Sequence, residues 1–435
     1  MDARPVRELS ADLYRVVAVV IVVIGHWLVS AVTYRDGSFG NEYPLDTLPW
    51  TQWLTLVFQV VPVFFLVGGY ASAASWTKWR GEGLAAPDWV RQRLGAILGP
   101  TTAYVALVLA TVGVLSLVGI AGSPLSFGGW AVAMHLWFIP VYLLVLALTP
   151  LAVAAHRRWG LLVPALLAVA VAAIDIAGLA ADIPGIGLAN YVLCWGAVYQ
   201  LGICWHGGAL RGRGAAMLAA VAAVTVVVLL GLRWYPISMV GAPGATAQNN
   251  FPPNFALLAF ATAQTALLIA VAPAVTRRLA QARWLAPANA KVMAVYLWQM
   301  VPVVIVALVG YPSGLLPQPE PGTAPWFWLR LLWLLILTVV LAVELTLVWL
   351  ARAVFDRPLP VFAVGLPAWC ASVVLAAGIG LAVVVLVRFA VYGFAAGGRF
   401  PVLYALLYLA AIALLSLGVR RRAEVSATRF VHWRR

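Results

Sequence analysis

Long apolar segments recur along the chain, and short polar loops separate them. An apolar run of about 20 residues can cross the hydrocarbon core of a bilayer as a helix, which satisfies its own backbone hydrogen bonds. The runs therefore predict an all-α integral membrane protein with about twelve transmembrane helices. We place these helices at approximately 13–33, 51–75, 94–120, 130–152, 161–179, 190–206, 215–233, 255–275, 290–310, 326–351, 361–388 and 400–419.

The loops between the predicted helices alternate in composition. One set is basic, and all but five of the 28 Lys and Arg residues lie in it or at the adjoining helix ends. The other set is rich in Gly, Pro, Asn and acidic residues. Because basic loops stay on the cytoplasmic side of a membrane, we expect these loops and both termini in the cytoplasm. The predicted location is the plasma (inner) membrane, which the chain crosses several times.

Composition supports the membrane assignment and excludes several other classes of protein. Hydrophobic residues make up 64% of the 435 positions and charged residues only 10%, whereas about a quarter of a soluble domain is charged. The net charge of +14 follows the loop pattern, so nucleic acid is not a predicted partner. The three cysteines lie in apolar runs, without the spacing of a metal site or a disulfide framework. We therefore predict no metal cofactor.

Many of the 20 Trp residues fall near the ends of the predicted helices. Tryptophan is enriched at membrane–water interfaces, where its amphipathic ring sits at the level of the lipid headgroups. The alternative is that some of these rings stack on the sugar rings of a carbohydrate ligand. The sequence leaves both interpretations open.

Few ionisable residues lie inside the predicted helices, and they are the first candidates for chemistry because charge is costly in a bilayer. These residues are His26 in the first helix, His135 in the fourth, Asp175 in the fifth and Glu344 in the tenth. For Asp175 and Glu344, a structural pairing with an interior Arg or a backbone group is an equally open interpretation.

Arg15 and His26 have a spacing that places them on one face of the first helix. Eleven residues rise by about 16 Å and rotate by three turns plus about 20°. Arg15 would then lie at the cytoplasmic surface, where a guanidinium suits a nucleotide phosphate. His26 would lie deep in the helix, where a neutral imidazole suits a general base. An extended pantetheine arm could bridge this distance; the alternative is that Arg15 only anchors the helix and His26 is a satisfied polar residue.

Five short motifs occur in order over about residues 9–310, and less clearly to 350. They are Leu9–Ala18 with Gly25 and His26, Pro62–Tyr70, Arg91–Leu94 with Pro100, His135–Phe138 and Tyr296–Gln299. Together they resemble the motifs of the membrane-bound acyltransferase family 3, whose first span carries an Arg, ten residues and a His after an acidic residue. The chain differs from the common pattern at Gly68, where the family usually has Ser, and at Gln299, where it often has His.

The resemblance implies a ten-helix acyltransferase core at residues 1–350, followed at 351–435 by two additional helices and a basic cytoplasmic tail. It implies transfer of an acyl group, expected to be acetyl, from cytoplasmic acyl-CoA to a hydroxyl of an extracytoplasmic or membrane-linked carbohydrate-type acceptor. The lipid bilayer, acyl-CoA and this acceptor are the predicted partners.

The same resemblance assigns catalytic and substrate-binding roles. His26 would deprotonate the acceptor hydroxyl or carry the acyl group itself, and His135 would orient the acceptor or polarise the thioester. Substrate-binding positions are expected at Tyr70, Trp137, Gln299 and Glu344.

Donor binding falls to residues at the cytoplasmic ends of the first and third helices. The cations Arg15, Arg91 and Arg93 would hold the phosphates of coenzyme A. Asp12, one turn before Arg15, would orient its guanidinium at the usual helical spacing.

Two other functions are compatible with the pattern. Twelve helices with both ends inside is a common layout for a transporter, so an exporter of a polysaccharide or lipid-linked precursor is the main alternative. Against it, the acidic residues in the helices do not fall in two corresponding halves, and the sequence indicates no pair of interrupted helices. A non-catalytic partner in an envelope assembly is the third hypothesis.

Overall fold

The computed structural model describes residues 8–181, 183, 185–241, 248–364 and 367–419. Within these residues the chain is mostly helical, with two small two-stranded sheets. The α-helices are α1 (Leu9–Val29), α2 (Pro44–Thr47), α3 (Thr55–Phe58), α4 (Val61–Gly81), α5 (Ala86–Leu117), α6 (Ser123–Ala131), α7 (Phe138–Ala147), α8 (Thr149–Trp159), α9 (Leu162–Ala181), α10 (Asn190–His206), α11 (Gly212–Gly231), α12 (Phe255–Arg278), α13 (Leu285–Trp298), α14 (Val301–Gly310), α15 (Ala324–Leu350), α16 (Arg352–Phe355), α17 (Ala368–Tyr392) and α18 (Val402–Ser416). The strands are the antiparallel pair β1 (Ala31–Arg35) and β2 (Ser38–Glu42) and the parallel pair β3 (Phe362–Val364) and β4 (Leu417–Val419). The predicted tail from residue 420 lies outside the described residues.

The apolar helices lie where the sequence predicts spans, but their number differs from the prediction. Eight helices of the described chain are long and apolar enough to cross a membrane, and three bent helix pairs raise the total to eleven. At the twelfth predicted position stands α18, which has 15 residues and is shorter than the roughly 20 residues of a usual span. The multi-pass helical architecture is thus confirmed, whereas a count of twelve is not.

Interrupted helices are present, although the sequence indicates none. α6 and α7 meet at a bend of 41°, and α13 and α14 at a bend of 43°. Val132 and Ala133, followed by the 3-10 turn Met134–Trp137, separate α6 from α7, and Gln299 and Met300 separate α13 from α14. Pro302, in the first turn of α14, lacks the N–H that would continue the hydrogen-bond ladder across the second break. Non-helical backbone inside a membrane has to be buried in protein or line a cavity. Both breaks are therefore candidate positions for a functional site.

Two contacts between segments distant in sequence mark two ends of the bundle. At the end where α1 begins, the Glu8 carboxylate accepts a hydrogen bond from the Thr276 hydroxyl, beside the basic residues that end α12. At the other end, Phe39 in the hairpin of β1 and β2 donates its N–H to the Ser123 hydroxyl oxygen at the start of α6 (2.8 Å). We call these the basic end and the hairpin end.

Asp175 joins three segments at the hairpin end. Its carboxylate accepts hydrogen bonds from Asn190 Nδ2 (2.8 Å), the Tyr235 hydroxyl (3.0 Å) and the N–H of Phe255 at the start of α12 (2.7 Å). Burial, together with the adjacent Asp175 carboxylate, raises the pKa of Tyr235, so the phenol stays protonated and donates its hydrogen. These contacts favour the structural interpretation of Asp175.

We expect Asp175→Asn to destabilise the fold while the folded protein keeps its activity. A hydrogen bond to a charged group contributes about 1.5–3 kcal/mol, and the amide offers one acceptor oxygen in place of two. The melting temperature of the purified protein in detergent should therefore fall. Asp46→Asn, at an exposed carboxylate of the same end, is the matched control. An unchanged melting temperature with lost activity would instead assign Asp175 to the functional site.

Helix α17, beyond the predicted ten-helix core, packs directly onto α6 and the turn that follows it. The Phe394 N–H, just after α17, donates to the Gly129 carbonyl oxygen (3.0 Å). A Cβ at Gly129 would lie 2.9 Å from Ala395, so this approach of two backbones depends on the missing side chain. α17 also contacts the turn Met134–Trp137. The residues beyond 350 therefore contribute to the surroundings of His135.

Candidate active site

The inward face of α1 carries both residues of the predicted Arg–His pair, because α1 is one uninterrupted helix. Arg15, Val22 and His26 lie along this face, and all three are only partly buried. The buried residues Ala18 and Val19 flank them on either side and separate them from the outward-facing residues of the helix. Their accessible surface therefore faces the interior of the bundle. We call the stripe of Arg15, Val22 and His26 the α1 groove.

The beginning of the α1 groove is anchored to α13. Asp12 accepts a hydrogen bond from Asn289 Nδ2 (2.9 Å), which fixes the first turn of α1. Arg15 is partly buried, and its guanidinium has no hydrogen bond or ion pair to any residue in the described ranges. A partly buried cation without a protein partner is suited to binding an anionic ligand.

His26 is held by the break between α13 and α14. Its Nδ1 lies 3.0 Å from Gln299 Oε1, and Gln299 Nε2 donates to the Tyr296 carbonyl oxygen (3.0 Å). The indole N–H of Trp27 donates to the Gln299 carbonyl oxygen (2.7 Å). Two consecutive residues of α1 thus bind one residue of the break. Gln299, predicted as a substrate-binding residue, is fully buried and serves here as a partner of His26.

His135 lies in the turn between α6 and α7 and is 1% exposed. Its carbonyl oxygen accepts a hydrogen bond from the Tyr296 hydroxyl (2.6 Å), and its ring packs edge-on against Tyr296 and Tyr104. Among the described residues neither ring nitrogen has a hydrogen-bond partner of ordinary geometry, although the ring lies beside the Leu297 backbone. Tyr296 thus links the turn of His135 to the partner of His26. Of the two histidines, His26 is the one with accessible surface.

The two arginines near the start of α5 lie in different surroundings. Arg91 is 5% exposed and lies 3.5 Å from Asp88, beneath the segment that follows α16. Arg93 follows two residues later, which places it about 200° around the helix, and it is partly buried near Tyr199. The structure therefore does not bring Arg91 and Arg93 to one surface. Of these two cations, Arg93 is the one that retains accessible surface.

Tyr70 lies at the basic end of the bundle. Its ring on α4 packs against Trp205, with ring centroids 4.5 Å apart, and edge-on against His206 at the end of α10. Tyr14 of α1 contacts the same Trp205 ring. Tyr70 is only partly buried, so it lies on the side of the protein at which Arg15 opens the α1 groove.

Trp137 and Glu344 have separate surroundings. Trp137 packs against Tyr191 and Trp195 of α10. Both carboxylate oxygens of Glu344 are buried without a hydrogen-bond partner in the described part of the chain, and the carboxylate lies near Tyr104. No group of three or more His, Cys, Asp or Glu side chains that could hold a metal ion occurs among the described residues.

Sequence reasoning missed Arg330, which fixes the end of α1 next to His26. Arg330 on α15 is 8% exposed, donates from Nη1 to the Ser30 carbonyl oxygen (2.9 Å) and stacks on Trp326. The Ser30 hydroxyl in turn donates to the His26 carbonyl oxygen (2.6 Å). A cation at the C-terminus of a helix stabilises carbonyl groups that lack helical partners. The sequence did carry a signal, because Arg330 is one of the five basic residues outside the basic loops.

Comparison with known protein families identifies the family of the chain. The sequence profile of the acyltransferase 3 family, described as an acyltransferase domain, matches residues 8–348. No curated protein and no solved structure matches the chain. The matched range is well over half of the sequence and contains every predicted site residue, from Asp12 to Glu344. The chain belongs to the acyltransferase 3 family of membrane acyltransferases.

Proposed function

We propose that the protein transfers an acetyl group from acetyl-CoA to a hydroxyl of a carbohydrate-type acceptor on the opposite side of the plasma (inner) membrane. The α1 groove carries this proposal, because it leads from the Arg15 guanidinium at the basic end to the accessible imidazole of His26. Basic loops are retained in the cytoplasm, so the basic end would face the cytoplasmic pool of acetyl-CoA and the hairpin end would face outward.

The donor would lie along the α1 groove. Arg15 would bind a phosphate of coenzyme A through charge-assisted hydrogen bonds, which a guanidinium can make in pairs. The eleven residues from Arg15 to His26 correspond to about 16 Å, a distance that an extended pantetheine arm bridges. The thioester carbonyl would then lie next to His26. Arg93 and Tyr70 are the partly buried residues of this end that would complete the donor site.

His26 would act as the general base of the transfer. Its neutral imidazole would take the proton of the acceptor hydroxyl while the hydroxyl oxygen attacks the thioester carbonyl carbon. The carbon–sulfur bond would then break, and the imidazolium would return its proton to the thiolate of coenzyme A. His135 is buried and would contribute by packing against Tyr296, whose carbonyl oxygen accepts the hydrogen bond from the Gln299 amide.

Labelled acetyl-CoA in oriented vesicles tests the proposed function. Inside-out vesicles from producing cells expose the basic end, so external label should enter the glycolipid and carbohydrate fractions while free coenzyme A is released. Right-side-out vesicles should incorporate label only after permeabilisation, and vesicles without the protein should incorporate none. If vesicles of neither orientation incorporate label or release coenzyme A, acyl transfer is excluded and export of a precursor remains as the function.

We expect Arg15→Lys to weaken donor binding. An ammonium cannot reproduce a paired guanidinium–phosphate contact, and a lost charge-assisted hydrogen bond costs about 1.5–3 kcal/mol, or roughly a 10- to 150-fold rise in Kd. Calorimetry with a non-reactive acetyl-CoA analogue measures the effect. Arg80→Lys, at an exposed arginine of the same end, is the matched control. Wild-type affinity in Arg15→Lys would mean that Arg15 only anchors the helix.

A further inference from the structure

We infer that Gln299 is a positioning residue that holds His26 in the tautomer with hydrogen on Nδ1, so that Nε2 is the nitrogen that accepts the proton from the acceptor. The inference rests on the proposed function for its catalytic consequence. The position of the hydrogen itself follows from hydrogen bonds alone. The resemblance to the family does not supply it, because the family often has His at this position.

The orientation of the Gln299 amide is fixed by a partner that can only accept. One end of the amide lies 3.0 Å from the Tyr296 carbonyl oxygen, so this end must be the NH₂ group, which donates. The other end, 3.0 Å from His26 Nδ1, is then the amide oxygen, which only accepts. Turning the amide over would place its oxygen against the Tyr296 carbonyl oxygen, where neither atom can donate a hydrogen.

The hydrogen position on His26 follows from that orientation. An acceptor oxygen at 3.0 Å from Nδ1 requires that Nδ1 carry the hydrogen. A neutral imidazole has one N–H, so its lone pair is then on Nε2. Nε2 has no hydrogen bond within the described ranges, yet it is absent from the buried unpartnered atoms of those ranges. It therefore faces accessible space, as the partial exposure of His26 in the α1 groove indicates.

Gln299 is itself immobilised, which makes it suited to this task. Its side chain is fully buried, and its carbonyl oxygen accepts the Trp27 indole hydrogen (2.7 Å). Two hydrogen bonds therefore connect the break between α13 and α14 to α1, one at the His26 ring and one at the Trp27 ring. A neutral amide fixes the tautomer without adding a charge to this part of the bundle.

The ¹⁵N spectrum of histidine-labelled protein in liposomes tests the inference without reference to activity. The His26 signals, assigned by their loss in His26→Ala, should show a protonated Nδ1 and an unprotonated Nε2 in the wild type. Gln299→Met removes the acceptor at similar volume, so part of the population should move its hydrogen to Nε2. Gln299→Glu keeps an acceptor and should keep the wild-type tautomer. Gln264→Met, at a partly buried glutamine of α12 that bonds the Gln59 carbonyl, is the matched control.

Kinetics supply the second measurement. Gln299→Met should lower kcat, by no more than the 10²–10⁴-fold that a general base contributes, while the Kd of a non-reactive acetyl-CoA analogue stays at the wild-type value. If Gln299 had a purely structural role, Gln299→Met would instead lower the amount of folded protein and the affinity for the donor together. A hydrogen on Nε2 in the wild type, or an unchanged tautomer and kcat in Gln299→Met, would overturn the inference. A wild type with the inferred tautomer but no acyl transfer would overturn the proposed function and leave the hydrogen position established.

Discussion

Replacing His26 with Ala is expected to reduce acyl transfer by about 10²–10⁴-fold, which is the usual contribution of a general base. The His26 imidazole is the accessible end of the α1 groove, and its Nδ1 is already occupied by Gln299. The ring of His135 cannot replace it, because that ring is buried and packs against Tyr296. The initial rate of label transfer from acetyl-CoA, normalised to folded protein, measures the effect.

Donor binding separates loss of the base from loss of the fold. The non-reactive acetyl-CoA analogue should bind His26→Ala with near wild-type affinity, because the phosphates would lie at Arg15, about three helical turns away. His156→Ala is a control at a partly buried histidine whose contact is with Cys204. A His26→Ala protein that keeps more than half of the wild-type rate would remove His26 from the mechanism.

The sequence could predict the α1 groove but not what holds its histidine. Arg15 and His26 lie in one helix, so helix geometry alone determines their relative placement. His26 and Gln299 are 273 positions apart, and no periodicity relates two helices that are distant in sequence. Their contact depends on how α13 packs against α1, which is decided by side-chain packing that apolar patterning does not encode.

The interrupted helices escaped the sequence analysis for a related reason. Hydropathy is read over windows of about 19 residues, and a break of two to four residues barely changes such an average. Pro302 marks the second break. The first break, at residues 132–137, contains no proline. The site residues His135 and Gln299 therefore occupy turns that apolar composition alone represents as continuous helix.

The hairpin of β1 and β2 has a turn signal in the sequence, which the longer apolar run before it outweighed in the prediction. The apolar residues Ala31 and Val32 extend the first apolar run, so they were predicted as helix, whereas they begin a strand. The next residues include Asp36 and Gly37, with φ angles of 49° and 77°. Asp-Gly between two paired strands is the strongest short-range hairpin signal, because both central residues of a type I′ turn need positive φ.

Val22→Trp is expected to abolish transfer from acetyl-CoA by closing the α1 groove. Val22 lies on the inward face one turn before His26 and is partly buried, so the larger ring would occupy the accessible space that the pantetheine arm needs. A displacement of reacting groups by about 1 Å can cost a hundredfold in rate, and a blocked path should cost at least that in kcat/KM. Arg15 is untouched, so 3′,5′-ADP, the nucleotide part of the donor, should bind with near wild-type affinity.

Val20→Trp provides the matched control on the same helix. Val20 is 49% exposed on the outward face, where an added indole would contact lipid and leave the groove open. The rate of Val20→Trp should therefore stay close to that of the wild type. Overpacking typically costs about 1–3 kcal/mol, so the melting temperatures of both variants show whether Val22→Trp is folded. A folded Val22→Trp protein with wild-type kcat/KM would mean that the donor reaches His26 by a route other than the inward face of α1.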